Sequence, residues 1–315
     1  MAHKVALTGA TGFVGSAVVP ALLASGFEIS ALVRKPKLGQ FPEQVKLVKG
    51  DLENTKALAD LVQGADCVVH VAGAISALSE AQFFKANLVG VKAIFQATEA
   101  AGIKRFIHIS SLAARMPALS PYAASKRAGE DYLVAEKGDM AIVILRPSAI
   151  YGPGDKATLP LLAALQKSTA FIPGTAAARF SLLHVRDFAA VIAAAVTSDA
   201  TGLFEIDDMS GGHTWAELAQ VNVKISGLPK RLVYLPHSLL NIVALVVEAI
   251  SFVRQKAGMI SWAKLRELYY EDWVVQGQNW PRPNPISLAE GLGETLEWYR
   301  NHGWLKPNAK SQEKV

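Results

Sequence analysis

The chain has 315 residues, of which 51% are hydrophobic and 19% are charged, a balance that supports a large buried core and excludes a disordered or fibrous protein. The single cysteine, Cys67, excludes a disulfide framework and a zinc site built from thiolates. The formal net charge of +5 is spread along the chain, so a nucleic-acid partner is not expected. No metal site is expected either. The amino terminus lacks the long apolar stretch of a signal peptide, which predicts a cytoplasmic protein.

Short apolar runs alternate with longer helical segments from the start of the chain to about residue 150. Strands that are apolar throughout are typical of sheets buried on both faces, so this alternation predicts an α/β fold of the Rossmann type, with a doubly wound parallel sheet. The predicted strands are residues 5–8, 28–33, 45–48, 67–71, 106–109 and 142–146. We assign residues 1–155, with parts of 180–206, to this cofactor-binding domain.

The alternation becomes less regular in the rest of the chain. Predicted strands lie there at residues 181–185, 203–206 and 232–234. Helical stretches separate them, which predicts a smaller mixed α/β lobe that binds the substrate and consists of residues 156–179 and 207–305. Residues 306–315 are polar and are predicted to form a flexible tail.

The most apolar helix candidate is the segment 238–253. Asn241 and Glu248 interrupt it, and it is shorter than a bilayer span requires. Two interpretations therefore stay open. The segment either packs in the smaller lobe as a core or lid helix, or it makes a peripheral contact with a membrane surface.

A glycine-rich turn follows the first predicted strand directly. Residues 8–15 read T-G-A-T-G-F-V-G and precede a helical pattern. Gly9 permits the tight turn, Gly12 lets the backbone approach a pyrophosphate, and Gly15 lets the helix pack closely on the strand. Amide groups at the start of the helix would then bind the anion, which predicts a dinucleotide site. The residues expected to contact the dinucleotide here are Thr8, Gly9, Thr11, Gly12, Phe13, Val14 and Gly15.

The second predicted strand ends in a basic loop. NAD-specific enzymes usually have a carboxylate at this place, which binds the adenosine ribose hydroxyls, whereas this chain has Arg34, Lys35 and Lys37. A guanidinium can bond a 2′-phosphate in a fork and stack on adenine. The loop therefore favours NADP(H), with NAD(H) as the second candidate, over an ordinary solvated basic loop.

Further cofactor contacts are predicted where the third and fourth strands end. An acid after the third strand is placed to meet the adenine amine, and small residues after the fourth leave room for the riboses. The residues expected at these two places are Asp51, Leu52, Val71, Ala72 and Gly73. His70 and His108 lie inside strands, and we expect them to be core histidines rather than catalysts.

A Y-x-x-x-K motif at Tyr122 and Lys126 lies between two further motifs. Two serines, residues 110–111, end the fifth strand before it, and residues 146–154 read R-P-S-A-I-Y-G-P-G after it. With the glycine-rich turn, this order resembles the extended short-chain dehydrogenase/reductases, the NAD-dependent epimerase/dehydratase superfamily. The similarity covers residues 4–302. It implies an NAD(P)-dependent oxidoreductase that acts on CH–OH or C=O groups.

The spacing of the motif explains the chemistry that the family performs. Residues four apart share one helical face, so Lys126 is expected beside Tyr122. A free phenol has a pKa of about 10, and a nearby ammonium is expected to lower it, so that Tyr122 exchanges a proton with a substrate oxygen. Lys126 would also hold the ribose hydroxyls. Ser111, or else Ser110, would donate a hydrogen bond to the same substrate oxygen.

Three details distinguish the chain from the nucleotide-sugar epimerases and dehydratases. Ser111 and Tyr122 are only eleven positions apart, and those enzymes generally have a longer loop there. Pro147 and Ser148, which we expect to contact the cofactor, stand where sugar-nucleotide enzymes commonly have an asparagine. Epimerases retain NAD through each turnover, whereas Arg34 favours exchangeable NADPH.

The short spacing resembles instead a branch that contains the reductase-like accessory subunit of respiratory complex I and bacterial reductases of ceramide synthesis. The latter reduce the 3-oxo group of an acylated sphingoid base. The resemblance implies an NADPH-dependent reductase of a ketone on an apolar, lipid substrate, in the cytoplasm or at the inner membrane surface. A nucleotide-sugar enzyme and an NADPH-bound scaffold stay open as alternatives. Some relatives form homodimers through a four-helix bundle, so a homodimer is among the expectations.

Overall fold

The computed structural model describes residues 3–37, 39–236, 262–281 and 284–306. The strands within these residues are β1 (Lys4–Thr8), β2 (Glu28–Val33), β3 (Val45–Lys49), β4 (Cys67–His70), β5 (Arg105–Ile109), β6 (Ala141–Pro147), β7 (Ala149–Tyr151), β8 (Thr169–Pro173), β9 (Arg179–Phe180), β10 (Leu182–His184), β11 (Gly202–Ile206), β12 (His213–Thr214), β13 (Arg231–Leu235) and β14 (Asp272–Trp273).

Helices separate most of these strands. The α-helices are α1 (Phe13–Ala24), α2 (Thr55–Val62), α3 (Glu80–Phe84), α4 (Gly90–Ala100), α5 (Pro121–Glu136), α6 (Leu159–Leu165), α7 (Val185–Thr197), α8 (Trp215–Ser226), α9 (Trp262–Leu268) and α10 (Leu288–Asn301). A π-helical turn, Lys85–Val89, joins α3 to α4, and two short 3-10 helices, Leu112–Arg115 and Pro117–Leu119, precede α5. No helix among the described residues is long and apolar enough to span a membrane.

Seven strands of the described chain form one parallel sheet in the order β11-β6-β5-β4-β1-β2-β3. The chain leaves β1 toward β2 and β3 on one side and later returns to β4 on the other, so the order reverses between β1 and β4. Ligands of doubly wound sheets bind in the crevice at this reversal, beyond the carboxyl ends of the strands. The Rossmann fold predicted from the alternating pattern is confirmed.

Successive residues of each central strand belong to different cores, because side chains alternate between the two faces of a sheet. Leu7 and Val69 pack on α1 and α7, whereas their neighbours Ala6 and Val68 pack on α2 and α4. These strand residues are at most 1% exposed. Because these strands bury apolar residues on both faces of the sheet, they appear in the sequence as uninterrupted apolar runs.

The second part of the chain adds small sheets beside the large one. The pairs are β7 with β10, β8 with β13, and β9 with both β12 and β14. A third apolar core joins them to α6, α8 and α10, and its largest buried members include Tyr299 and Trp215. The Tyr299 hydroxyl donates a 2.6 Å hydrogen bond to the Asp155 carbonyl, which ties α10 to the segment after β7.

All nine strands predicted from the sequence lie within one residue of observed strands. Residues 185–188 begin helix α7, because the His184 side chain accepts a hydrogen bond from the Arg186 amide and caps the helix. The strand Leu182–His184 pairs with β7 rather than with the large sheet. The predicted apolar helix at residues 238–253 lies outside the described residues.

Cys67 is buried inside the large sheet. Its side chain lies in β4 at 2% exposure among the apolar residues that pack on α1 and α7. Burial raises the pKa of the thiol to about 12, although the neighbouring Arg105 acts in the opposite direction. The reactive thiolate form is therefore negligible near neutral pH.

His70 and His108 stack in adjacent strands, with ring centroids 5.6 Å apart, and both are fully buried. The Thr8 hydroxyl accepts a hydrogen bond from the Ala72 amide and also shares a 2.7 Å hydrogen bond with His70 Nδ1. Neither ring nitrogen of His108 has a hydrogen-bond partner in the described chain. Burial lowers the pKa of His70 to about 3 and that of His108 well below its ordinary value, and Lys126 adds to both effects. Both rings are core histidines, as expected.

This burial predicts a proton-linked loss of stability in acid. The folded protein binds fewer protons than the unfolded chain below the ordinary histidine pKa of about 6.5, so stability is full above pH 6.5 and falls as the pH drops. His108→Leu should therefore reduce the loss of unfolding free energy below pH 6.5, by at most about 1.4 kcal/mol for each pH unit. Urea unfolding at several pH values measures this difference. An unaltered slope in His108→Leu would show that the ring is not buried.

Candidate active site

The glycine-rich turn connects β1 to α1 at the point where the strand order reverses. Gly9 has a φ of 77°, and a Cβ on it would lie 2.6 Å from the Ala72 amide nitrogen. A Cβ on Gly15 would lie 2.1 Å from the Gly9 carbonyl oxygen. Both positions therefore require glycine, since the backbone segments touch.

The same turn presents groups that fit a pyrophosphate. Gly12 is the residue before α1 and has no side chain to cap the helix, so the first-turn amides are left for an anion. Thr11 and Gly12 are exposed, and Phe13 and Val14 are half-buried beside them. Of the predicted contacts of this turn, Gly9 is also half-buried, whereas Thr8 and Gly15 are buried.

The end of β4 lies directly beside this turn. The Val71 amide donates to the Thr8 carbonyl at 3.3 Å, and the Ala72 amide donates to the Thr8 hydroxyl at 3.2 Å. A Cβ on Gly73 would lie 3.0 Å from the Lys126 Nζ. The absence of a side chain at residue 73 thus lets the Lys126 ammonium lie against the backbone that follows β4.

The basic loop and Asp51 lie at the carboxyl ends of the adjacent strands β2 and β3. The Gly50 amide donates to the Val33 carbonyl at 3.1 Å, which holds the two strand ends together. The side chains that the sequence analysis assigned to the adenosine half of the cofactor are exposed there: Arg34, Lys35, Lys37 and Asp51. Leu52 is half-buried and packs on Gly90.

Helix α5 brings the predicted catalytic side chains together. The Ser120 side chain caps the helix and Pro121 is its first residue, which is the sequence pattern of a helix start. The Ser111 hydroxyl accepts the Ala113 amide at 3.2 Å, and it acts on the Tyr122 phenol, whose pKa it lowers. Lys126 lies one turn further along and is 4% exposed, and its Nζ donates to the Ile109 carbonyl at 2.9 Å.

Burial shifts the pKa values of both Tyr122 and Lys126. Burial raises the pKa of Tyr122 to about 12, the hydrogen bond from Ser111 lowers it, and the carboxylate of Glu267 raises it. Burial also lowers the pKa of Lys126 to about 8, against the opposing effect of Glu130. The pKa of the phenol therefore lies above its ordinary value of about 10, whereas the sequence analysis expected it to lie below, because desolvation disfavours the charged form.

The comparisons with known proteins agree with this geometry. A model of the NAD dependent epimerase/dehydratase family matches residues 5–206. The chain belongs to this family. Its relatives include a ceramide reductase of Caulobacter vibrioides, 38% identical over 96% of both chains. A second relative is a putative dihydroflavonol 4-reductase of Synechocystis, 28% identical over 97% of both chains.

Solved structures show the same fold. The Bordetella bronchiseptica enzyme WbmH, determined in complex with NAD⁺, has a TM-score of 0.71 and 19% identity, and the match covers 96% of this chain and 100% of that one. The family match shows that the chain is an NAD(P)-dependent enzyme of the short-chain dehydrogenase/reductase type.

One buried side chain at the site of this family member was missed by sequence reasoning. Asn87, in the π-helical turn, is 1% exposed, and its Oδ1 accepts a 2.8 Å hydrogen bond from the Ala74 amide. Its Nδ2 donates to the Ala74 carbonyl at 3.0 Å and to the Ser125 hydroxyl at 2.9 Å. An available signal was the spacing of Asn87 with Val91 and Ile94, which puts an amide on the apolar face of a helix.

Ser110, the second candidate for the substrate hydrogen bond, is already paired. Its hydroxyl donates to a carboxylate oxygen of Glu130. Arg146 donates to the same carboxylate through two nitrogens, at 2.8 and 2.6 Å, and its third lies 3.4 Å from Glu205. The structure therefore leaves Ser111 as the serine that faces Tyr122.

Pro147 ends β6, and Ser148 follows it. The Ser148 amide donates to the Ile206 carbonyl at 2.8 Å, which aligns this segment with β11. The Ser148 hydroxyl is buried and has no hydrogen-bond partner among the described residues. A buried hydroxyl without a partner is unusual in a folded protein and is suited to a ligand group.

Proposed function

We propose that the chain is an NADPH-dependent reductase that converts the ketone of a lipid of the oxo-ceramide type to an alcohol. The observation that carries this proposal is the 38% identity to a ceramide reductase over 96% of both chains. The action of Ser111 on the Tyr122 phenol, with Lys126 one helical turn away, supports the reaction type. The exposed apolar side chains of Ile75 (68%) and Leu78 (48%), next to Gly73, support an apolar substrate.

The residues of the chain have distinct roles in this proposal. When bound, the cofactor supplies a hydride to the carbonyl carbon. Tyr122 donates its proton to the carbonyl oxygen, and Ser111 donates a hydrogen bond to that oxygen as negative charge develops. Lys126 holds the ribose hydroxyls beside Gly73 and stabilises the phenolate that remains. Each turnover consumes one ketone, one NADPH and one proton.

The two parts of the chain divide this work. The dinucleotide would be held by the glycine-rich turn, the basic loop, Asp51, Leu52, Val71 to Gly73, Pro147 and Ser148. Residues 156–179 and 207–305 would form the substrate lobe, and residues 1–155 with parts of 180–206 the cofactor domain. The catalytic helix α5 lies between the two binding regions.

The experiment is a turnover assay of the purified protein with an oxo-ceramide in detergent micelles. We expect loss of NADPH absorbance and formation of ceramide in equal amounts, measured by mass spectrometry. A nucleotide-sugar enzyme would instead be stabilised thermally by UDP-sugars and would not reduce the oxo-ceramide. A scaffold would bind NADPH without turnover of any ketone. Either result would contradict the proposal.

Arg34 provides a test of the cofactor preference. Arg34→Ala should weaken NADPH binding by about 10- to 100-fold, because a charge-assisted hydrogen bond to the 2′-phosphate contributes about 1.5–3 kcal/mol. NADH binding should change less than about twofold, because NADH lacks this phosphate. Calorimetric titration of both cofactors measures the ratio, and the matched control is Arg127→Ala, at an exposed position of α5 that bonds to Asp131. Equal losses of affinity for NADPH and NADH would mean that Arg34 does not bind the 2′-phosphate.

A further inference from the structure

The small sheet formed by β8 and β13 exposes one of its faces. The two strands are parallel, with Val233 opposite Phe171 and Leu235 opposite Pro173. The intervening Ile172 is fully buried in the third apolar core, so these four residues lie on the opposite face, which we call the outer face. Phe171 is 54% exposed there, and the other three are half-buried. A phenylalanine this exposed, with apolar neighbours, indicates a contact surface rather than a part of the core.

Basic side chains border the outer face where both strands begin. Arg231 is the first residue of β13 and lies on the same face as Val233, two positions further on. The amides of Lys230 and Arg231 both donate to the Ser168 carbonyl, at 2.9 and 3.1 Å. This shared acceptor brings Lys167, the neighbour of Ser168, to the same end of the sheet. All three cations are exposed.

A groove between β13 and the last turns of α8 extends this basic border. Val223 and Lys224 of α8 line the groove together with Lys230 and Arg231, and Val223 is 40% exposed. None of the described residues that line the groove is a carboxylate. No ion pair joins these three cations or Lys167 to a carboxylate in the described part of the chain. Their positive charge is therefore available to an anionic partner.

We propose that the second lobe docks on an anionic phospholipid bilayer through a surface made of the outer face and four cations, Lys167, Lys224, Lys230 and Arg231. Apolar side chains that enter the headgroup region, with Lys and Arg residues that attract anionic lipids, are the usual means of peripheral membrane binding. Sites for single-stranded nucleic acid combine the cations with several aromatic rings, on which the bases stack. This surface combines one ring with aliphatic side chains, which favours the bilayer.

The position of this surface suits a protein that acts on a lipid. It lies in the lobe to which the proposed function assigns the substrate, and a substrate of that kind resides in a bilayer. Strand β13 also precedes residues 238–253, the most apolar run of the sequence. The docking itself does not depend on the proposed reaction, because it uses neither the cofactor nor the Y-x-x-x-K motif.

Cosedimentation of the whole protein with vesicles measures the docking. Vesicles of phosphatidylcholine with about 30% phosphatidylglycerol should bind it at least about tenfold more tightly than vesicles of phosphatidylcholine alone, and salt should weaken the binding. The triple variant Lys224→Gln, Lys230→Gln, Arg231→Gln should lower the affinity by about 100-fold, since each cation at an anionic surface contributes about a fivefold factor.

A charge-matched control separates this surface from the net charge of the protein. Lys46, Lys104 and Lys137 are exposed residues of the first domain. Replacing all three by Gln removes the same charge and should lower the affinity for anionic vesicles by less than about threefold, because salt screens distant charges. Equal losses in the two triple variants would overturn the inference.

A fluorescent label tests whether the outer face itself meets the bilayer. Phe171→Cys can be labelled selectively with an environment-sensitive dye, because the native Cys67 is buried and its thiol has a pKa of about 12. The emission should move to shorter wavelength on anionic vesicles, and a lipid-attached quencher should reduce it. The same dye at Val134→Cys, at a position of α5 that is 60% exposed, should show neither change.

The other possible occupants of this surface give different signals from the label at position 171. Short-wavelength emission that vesicles leave unchanged would mean that the chain itself covers the face, and a dependence on protein concentration would indicate a second copy. A response to transfer RNA without a response to vesicles would indicate a nucleic acid. Each of these results would overturn the inference. Vesicle binding without ketone turnover would refute only the proposed function, and turnover in micelles without vesicle binding would refute only the docking.

Discussion

Tyr122→Phe is expected to lower kcat for ketone reduction by about 10²- to 10⁴-fold, because the phenol is the only group proposed to donate the proton. The substitution retains the ring that packs on Phe83, so NADPH affinity and the midpoint of thermal unfolding should change little. Single-turnover kinetics, with NADPH affinity from calorimetry, separate the loss of chemistry from a loss of binding.

The chain offers a matched control on the same helix. Tyr132 lies ten residues further along α5, where its ring packs against Phe95 with a centroid distance of 5.9 Å, away from the site. Tyr132→Phe removes the same hydroxyl and should leave kcat within about twofold of the original value. A Tyr122→Phe variant that kept its activity would remove the phenol from the reaction and leave Ser111 or water as the proton source.

Glu130→Leu is expected to lower the free energy of unfolding by about 3–5 kcal/mol, since it leaves a buried guanidinium without its bidentate partner. The side chains of Glu130 and Arg146 are only 3% and 10% exposed, and two hydrogen bonds join them. Glu205, 3.4 Å from Arg146, cannot replace this geometry, because it already accepts the amides of Gln276 and Gly277.

The double variant Glu130→Leu with Arg146→Met should recover most of this loss. Removing both charges also removes the cost of burying them, so a well-packed apolar pair is often as stable as the ion pair. Urea unfolding of the two single variants and the double variant gives the coupling between the side chains. Additive losses in the double variant would show that the pair does not act as a unit.

The fold of the first part could be predicted because two simple patterns determine it. Apolar runs such as residues 67–71 identified central strands, and the turn at Gly9 to Gly15 fixed the strand–helix connection. Two-residue strands such as β9 and β14 could not be predicted, since pairs this short show no period of their own. They form because chain segments that are distant in sequence, such as Arg179 and Asp272, meet in space.

The candidate site was predicted where local spacing determines it. Tyr122 and Lys126 share a helical face because they are four residues apart in α5, and Ser111 acts on the phenol. Asn87 and Glu267 were missed, because each reaches the site from an element that is remote in the sequence. The sequence also could not predict whether the pKa of the phenol rises or falls, because the direction depends on how deeply the tertiary structure buries the group.

Cys67 gives the protein a practical property. This thiol is enclosed in the central sheet and has a pKa of about 12, so maleimide reagents should not label it in the native state. A cysteine introduced at an exposed position, for example in place of Ile75, would then be the single attachment point for a fluorophore or spin label. Approach of a substrate to the loop beside Gly73 could be followed optically without first removing any native thiol.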